Sequence, residues 1–72
     1  MNSFGERLKI LRNKKNISPS QIAEYLGLTE RAYRNYETNK STPAFHALIK
    51  LADYLNVSLD YLVGRSDNPK RR

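Results

Sequence analysis

The chain has 72 residues, no cysteine and a single histidine. Without cysteine there is no disulfide to staple the fold and no thiolate to hold a metal. His46 alone cannot assemble a zinc site, and its place on a helix surface is ordinary. No apolar run approaches the ~18 residues that span a bilayer. The N-terminal stretch MNSFGERLKI is too polar and charged for a secretory signal. Tyr, Asp and Glu are scattered, with no nucleophile–base pair, so no catalysis is expected. These absences leave a cytoplasmic protein without metal, cofactor, evident small-molecule ligand or membrane association as the expectation. They also leave packing as the source of stability. A chain this short buries only about 60% of the surface its unfolded form exposes. Its 39% hydrophobic residues suffice if helices pack on helices.

Charge is present in excess of one sign. Thirteen Lys+Arg oppose seven Asp+Glu, giving +6 and a sequence pI of 9.9. Such a balance points to a polyanionic partner, nucleic acid first, although +6 also lies in the ordinary range for a soluble domain. The distribution is more informative. Arg7, Lys9, Arg12, Lys14 and Lys15 crowd the N-terminal segment against Glu6. Lys70, Arg71 and Arg72 end the chain. Between them, Arg31, Arg34 and Lys40 are balanced by Glu24, Glu30 and Glu37. A nucleic-acid reading must therefore rest on where the central charges point.

Apolar spacing and punctuation predict five short helices, with no strand signal and no repeat. Phe4, Leu8 and Leu11 share one face of a helix over 4–15, with Ile10 beside the stripe. Ser18, Pro19 and Gln21 form a capping box with proline at the first helical position. That second helix runs to about Leu26, with Ile22, Ala23 and Leu26 inward, and stops at Gly27. Thr29 caps a third helix, Glu30 suits its positive end, and Asn39 is a left-handed stop after Thr38. Thr42 and Pro43 open a fourth helix with Leu48, Leu51, Ala52 and Leu55 inward, ended by Asn56. Ser58 caps a fifth that carries Leu59, Tyr61 and Leu62. The polar end of the chain is expected to fray, so residues 1–66 form the domain and 67–72 a basic tail. Two helices joined through Gly27 and Leu28 make a helix-turn-helix.

At ~100° per residue, the bisector of Tyr33 and Tyr36 defines the inward direction of the third helix. Arg31, Arg34, Asn35 and Thr38 then point outward, with Glu30 exposed in the first turn and Glu37 on a flank. Arginine can bond guanine O6 and N7 through two parallel hydrogen bonds, asparagine can do the same to adenine, and glutamate accepts from cytosine N4. A plain solvated face has a similar composition. Tyr33 and Tyr36 fit the core edge, where the Tyr36 hydroxyl could still reach a phosphate. Ser18, Ser20 and Gln21 at one helix start, and Lys40, Ser41 and Thr42 in the following loop, flank the third helix as phosphate-binding candidates.

The stretch SPSQIAEYLGLTERAYRNYETNKSTP, with Ala23, Gly27, the Tyr36–Glu37 pair and Pro43, resembles the helix-turn-helix of the lambda-repressor-like, Cro/Xre-type family. ERLKILRNKKNIS and LIKLADYLNVSLDYLVGRSD resemble the family's first and last helices, so the likeness covers roughly residues 4–67. It implies an all-α, five-helix bundle and a sequence-specific, double-stranded-DNA-binding transcriptional regulator, a repressor in the first instance. It implies base reading by Glu30, Arg31, Arg34 and Asn35, with Thr29, Thr38 and Lys40 at the groove edge and phosphates. It implies a structural ion pair between Arg12 and Glu37. It also implies a homodimer on a palindromic operator, with Val57, Leu59 and Leu62 as contact candidates, although all three fit the core as well, Leu59 and Leu62 at least equally. Pro19 departs from the family where some phage repressors carry a backbone-contacting glutamine, and Asn39 replaces a common glycine. The alternative is a protein-interaction module on the same fold, such as an antitoxin or anti-repressor. Against it stands the short stretch RSDNPKRR after Gly64, where toxin-wrapping relatives usually carry an extra segment.

Overall fold

The computed structural model describes residues 3–70, and among these the elements are α1 (Phe4–Lys14), α2 (Pro19–Leu26), α3 (Glu30–Glu37), α4 (Phe45–Leu55) and α5 (Leu59–Leu62), with no strand. Arg71 and Arg72, the end of the expected basic tail, lie outside the described residues, as do residues 1 and 2.

Side-chain caps set four of the five helix starts. Ser18 Oγ accepts from the Gln21 amide while Gln21 Oε1 accepts from the Ser18 amide, the reciprocal box expected of that sequence. Thr29 Oγ1 accepts from the Ala32 amide, and Ser58 Oγ from the Tyr61 amide. Ser3 and Glu6 form a second capping box at α1. Those hydrogen bonds to Ser3, backbone first, hold the Glu6 carboxyl below its ordinary pKa. The S-x-x-E signature was there to be read in the sequence.

The start of α4 differs from expectation. Thr42 makes no cap hydrogen bond, and the helix opens two residues later from Ala44, whose carbonyl accepts from the Leu48 amide. The reason lies upstream. The Lys40 and Ser41 amides both donate to the Asn35 carbonyl, closing the end of α3, and the chain then needs residues 42–44 to reach α4. Pro43 disfavours helical backbone at Thr42 before it.

Leu8 and Leu11 of α1, Ile22 and Ala23 of α2, Tyr33 of α3 and Leu51, Ala52 and Leu55 of α4 are buried in one cluster. Val57 and Leu62 belong to it too, so for these two dimer-contact candidates the core alternative holds. Both are enclosed by the chain itself, whereas Leu59 is 38% exposed. Ile10 turns outward from the α1 stripe. Tyr25 stacks on Tyr54, ring centroids 4.5 Å apart, and docks α2 on α4.

Two glycines have positional reasons. Gly27 takes φ 73°, and the Leu28 amide beyond it donates to the Ala23 carbonyl at 2.9 Å, turning the chain from α2 into α3. Gly5 sits where α1 crosses the end of α3. A Cβ there would collide with the backbone carbonyls of Glu37 and Tyr36. The tail does not stand apart at residue 67, because the Pro69 carbonyl accepts from the Ser58 amide at 3.0 Å and lays the segment along the start of α5.

Candidate nucleic-acid interface

The inward side of α3 is locked. Tyr33 is fully enclosed, and its hydroxyl donates to Glu37 Oε2. Arg12 reaches across from α1 and donates to the same carboxylate through Nε at 2.5 Å and Nη2 at 3.2 Å. Its Nη1 donates to the Ile17 carbonyl at 2.9 Å. Each donor atom of this cluster, Arg12 Nε, Nη1 and Nη2 and the Tyr33 hydroxyl, therefore meets an acceptor, the condition under which buried charge is tolerated. Hydrogen bonding to Glu37 raises the Arg12 pKa against the cost of burial. Burial, followed by the neighbouring carboxylate, pushes the Tyr33 hydroxyl far above its ordinary value. From its flank position on α3, the half-buried Glu37 thus turns its side chain inward, where it is only 7% exposed.

The far end of α3 is tied as well. Asn39 adopts φ 63°, the conformation a glycine would supply. Its side chain does more. Oδ1 accepts from the Gly5 amide and Nδ2 donates to Ser3 Oγ, both at 3.0 Å. Asparagine here meets the backbone requirement and also caps the neighbouring helix, a second role that chain spacing alone does not reveal.

The outward side carries Glu30, Arg31, Arg34 and Thr38, all exposed. Arg34 Nε donates to Glu30 Oε2 at 2.8 Å. Thr38 Oγ1 donates back to the Arg34 carbonyl at 3.2 Å. Asn35 is half-buried at the rim, and Tyr36 is half-buried with its ring edge-on to Tyr33 at 6.2 Å. The flanking candidates Ser18, Ser20, Gln21, Thr29, Lys40, Ser41 and Thr42 are all exposed. Their free donors are fewer than the sequence implies. The amides of Gln21, Lys40 and Ser41 are already engaged. The donors that remain include the Ser20 and Thr42 amides, the Gln21 side-chain NH₂, the Lys40 ammonium and the loop hydroxyls.

A short helix held rigidly from behind, with arginines on its free face and polar helix ends on both sides, is the geometry of a helix-turn-helix DNA-binding domain. The chain belongs to the lambda-repressor-like helix-turn-helix family, whose sequence profile matches residues 8–62. It is 43% identical over 60 residues to the SPbeta prophage-derived HTH-type transcriptional regulator YonR of Bacillus subtilis, covering 83% of this chain and 56% of that one. Among solved structures, it matches the P22 c2 repressor in complex with synthetic operator DNA at 26% identity and a TM-score of 0.84, covering 92% of this chain and all of that one. It matches SinR, the master regulator for biofilm formation, in complex with DNA at 33% identity and a TM-score of 0.73, covering 82% and 95%. The chain spans little more than half the length of several curated relatives it matches, 56–59% for three of them, and less of others.

Proposed function

We propose that this chain is a sequence-specific double-stranded-DNA-binding transcriptional regulator, acting as a repressor by occupying promoter DNA. The observation that carries this reading is the division of α3. Its inner side is fixed to α1 by Arg12, Glu37 and Tyr33. Its outer side leaves Glu30, Arg31 and Arg34 exposed. A helix so held can enter the major groove as a rigid body, with Asn35 at the rim. The Ser20 amide, Gln21, Tyr36, Lys40, Ser41 and Thr42 supply phosphate contacts on either side, with Thr29 and Thr38 at the groove edge and Ser18 shaping the α2 end. The helical domain, with the segment that Pro69 lays along α5, carries this activity, in the cytoplasm at the nucleoid.

The working form is a two-fold dimer on a palindromic operator, with half-sites about one turn (~34 Å) apart. Leu59, beside Ile49 on a groove of about 320 Å³ between α4 and α5, is the contact that burial leaves available.

The test is selection of binding sites from random duplexes, with affinity followed against salt and oligomer mass measured on and off DNA. A selected palindrome and affinity that falls steeply with salt are expected. Arg31→Ala should cost ~1–3 kcal/mol and relax one base position. Equal losses on selected and random DNA would instead make Arg31 a phosphate contact. No salt-dependent binding at all would favour the protein-interaction module.

A further inference from the structure

Arg31 and Arg34 are both exposed on α3, but only Arg34 has a carboxylate within ion-pair distance among the described residues. Glu30 precedes Arg34 by one helical turn, the favourable order for such a pair. The contact uses Arg34 Nε and Glu30 Oε2 at 2.8 Å. It leaves the Nη1–Nη2 end of the guanidinium and the Oε1 atom of Glu30 uncommitted. Across the major groove a G·C pair presents, in a row, the N7 and O6 acceptors of guanine and the N4 donor of cytosine. Two guanidinium donors beside a carboxylate acceptor are the complement of that row. An A·T pair presents acceptor, donor, acceptor. There the same unit sets donor against donor and carboxylate against thymine O4.

We propose that Glu30 and Arg34 act as one reading unit that selects a single G·C base pair: Glu30 holds Arg34 against guanine, and its own carboxylate faces cytosine N4 only while the two are paired. This rests on the DNA-binding reading above. It also accounts for a carboxylate on a DNA-facing surface. Glu30 repels phosphates wherever the protein lands, so it weakens binding to every sequence. Its return is orientation: a long, flexible side chain is held before it meets the base, which lowers the ordering cost at the correct pair.

Sites are to be selected from random duplexes with the full 72-residue chain, Glu30→Gln, Arg34→Lys, Arg34→Ala and the Glu30→Gln/Arg34→Ala double variant. Both side chains are exposed, and circular dichroism checks that each variant is folded. The unaltered chain should select one strong G·C position that Arg34→Ala weakens on the order of ten-fold. Arg34→Lys, which keeps the charge and loses the fork, should weaken the same position. Glu30→Gln should weaken that position by about three-fold or more, while affinity for random DNA rises. The double variant should lose no more discrimination than Arg34→Ala alone. The inference is overturned if Glu30→Gln alters a different position or none, or if the double variant shows the product of the two single losses. Either result leaves the DNA-binding reading standing, whereas an unaltered chain that selects nothing ends both.

Discussion

Two arginine–glutamate pairs meet on α3, and they have little in common beyond their chemistry. Arg12–Glu37 joins two helices with side chains only 9% and 7% exposed. Arg34–Glu30 spans one turn of a single helix with side chains 56% and 46% exposed. The buried pair is bound by all its neighbours and cannot be released without leaving a charge in the interior. The surface pair is screened, worth little to the fold, and open to exchange for another partner. The same two residue types thus fix the helix on one side and leave its other side exposed.

The sharpest way to break this contrast is Arg12→Ala. It strands the Glu37 carboxylate in the interior and removes the donor to the Ile17 carbonyl, at an expected cost of ~3–5 kcal/mol. Urea unfolding checks it, and a loss below ~1 kcal/mol would mean that the pair does not hold α3. Replacing both residues together with methionine should recover much of the loss, since no unpaired charge remains.

Gly5→Ala attacks the same inner side through sterics. The added methyl meets the Glu37 and Tyr36 carbonyls, which are backbone and cannot swing away. A cost of ~1–3 kcal/mol is expected, read as a lower thermal midpoint. A midpoint equal to that of the unaltered chain would mean that the α1–α3 crossing yields.

Tyr33→Phe is smaller, ~1 kcal/mol at neutral pH for one hydrogen bond, and its signature is in the pH profile. The folded state raises the Tyr33 pKa, so the folded chain keeps a proton that the unfolded chain releases above about pH 10. Stability from this group is therefore full below that pH and lost as pH rises beyond it. The unaltered chain should lose stability more steeply than Tyr33→Phe between about pH 10 and 11. Parallel profiles would exclude Tyr33 as the cause.

Much of this division is legible in the sequence because helix boundaries and faces are local properties. Ser18-Pro19-Ser20-Gln21 and Gly27-Leu28-Thr29 specify the turn by caps that act within four residues, and the spacing of Tyr33 and Tyr36 orients α3. The family resemblance supplied the Arg12–Glu37 pair, which no spacing rule yields. What stayed hidden depends on contacts far apart in the chain. Gly5 makes sense only once α1 crosses α3, and Asn39 only once its side chain reaches Gly5 and Ser3. Val57 and Leu62 were ambiguous for the same reason. An apolar residue in a short helix fits a core or an interface equally well until the neighbouring helices are placed. At the start of α4 the sequence misleads, because a threonine–proline pair resembles a helix cap whether or not the preceding loop leaves room for one.

The surface pair offers the finest distinction, since it should matter for contact and hardly at all for the fold. Glu30→Ala removes the i,i+4 partner of Arg34 and the carboxylate at the positive end of α3. Each of those terms is about 0.3–0.5 kcal/mol for exposed groups, and alanine's higher helix propensity offsets part of the sum. The net change in unfolding free energy should therefore stay within ~0.5 kcal/mol and shrink further in high salt, where Arg12→Ala keeps most of its cost. A loss near that of Arg12→Ala would erase the contrast, because Glu30 would then be holding the helix rather than serving its outer face. A near-zero loss, with base preference altered in the same variant, would locate the role of Glu30 in recognition alone.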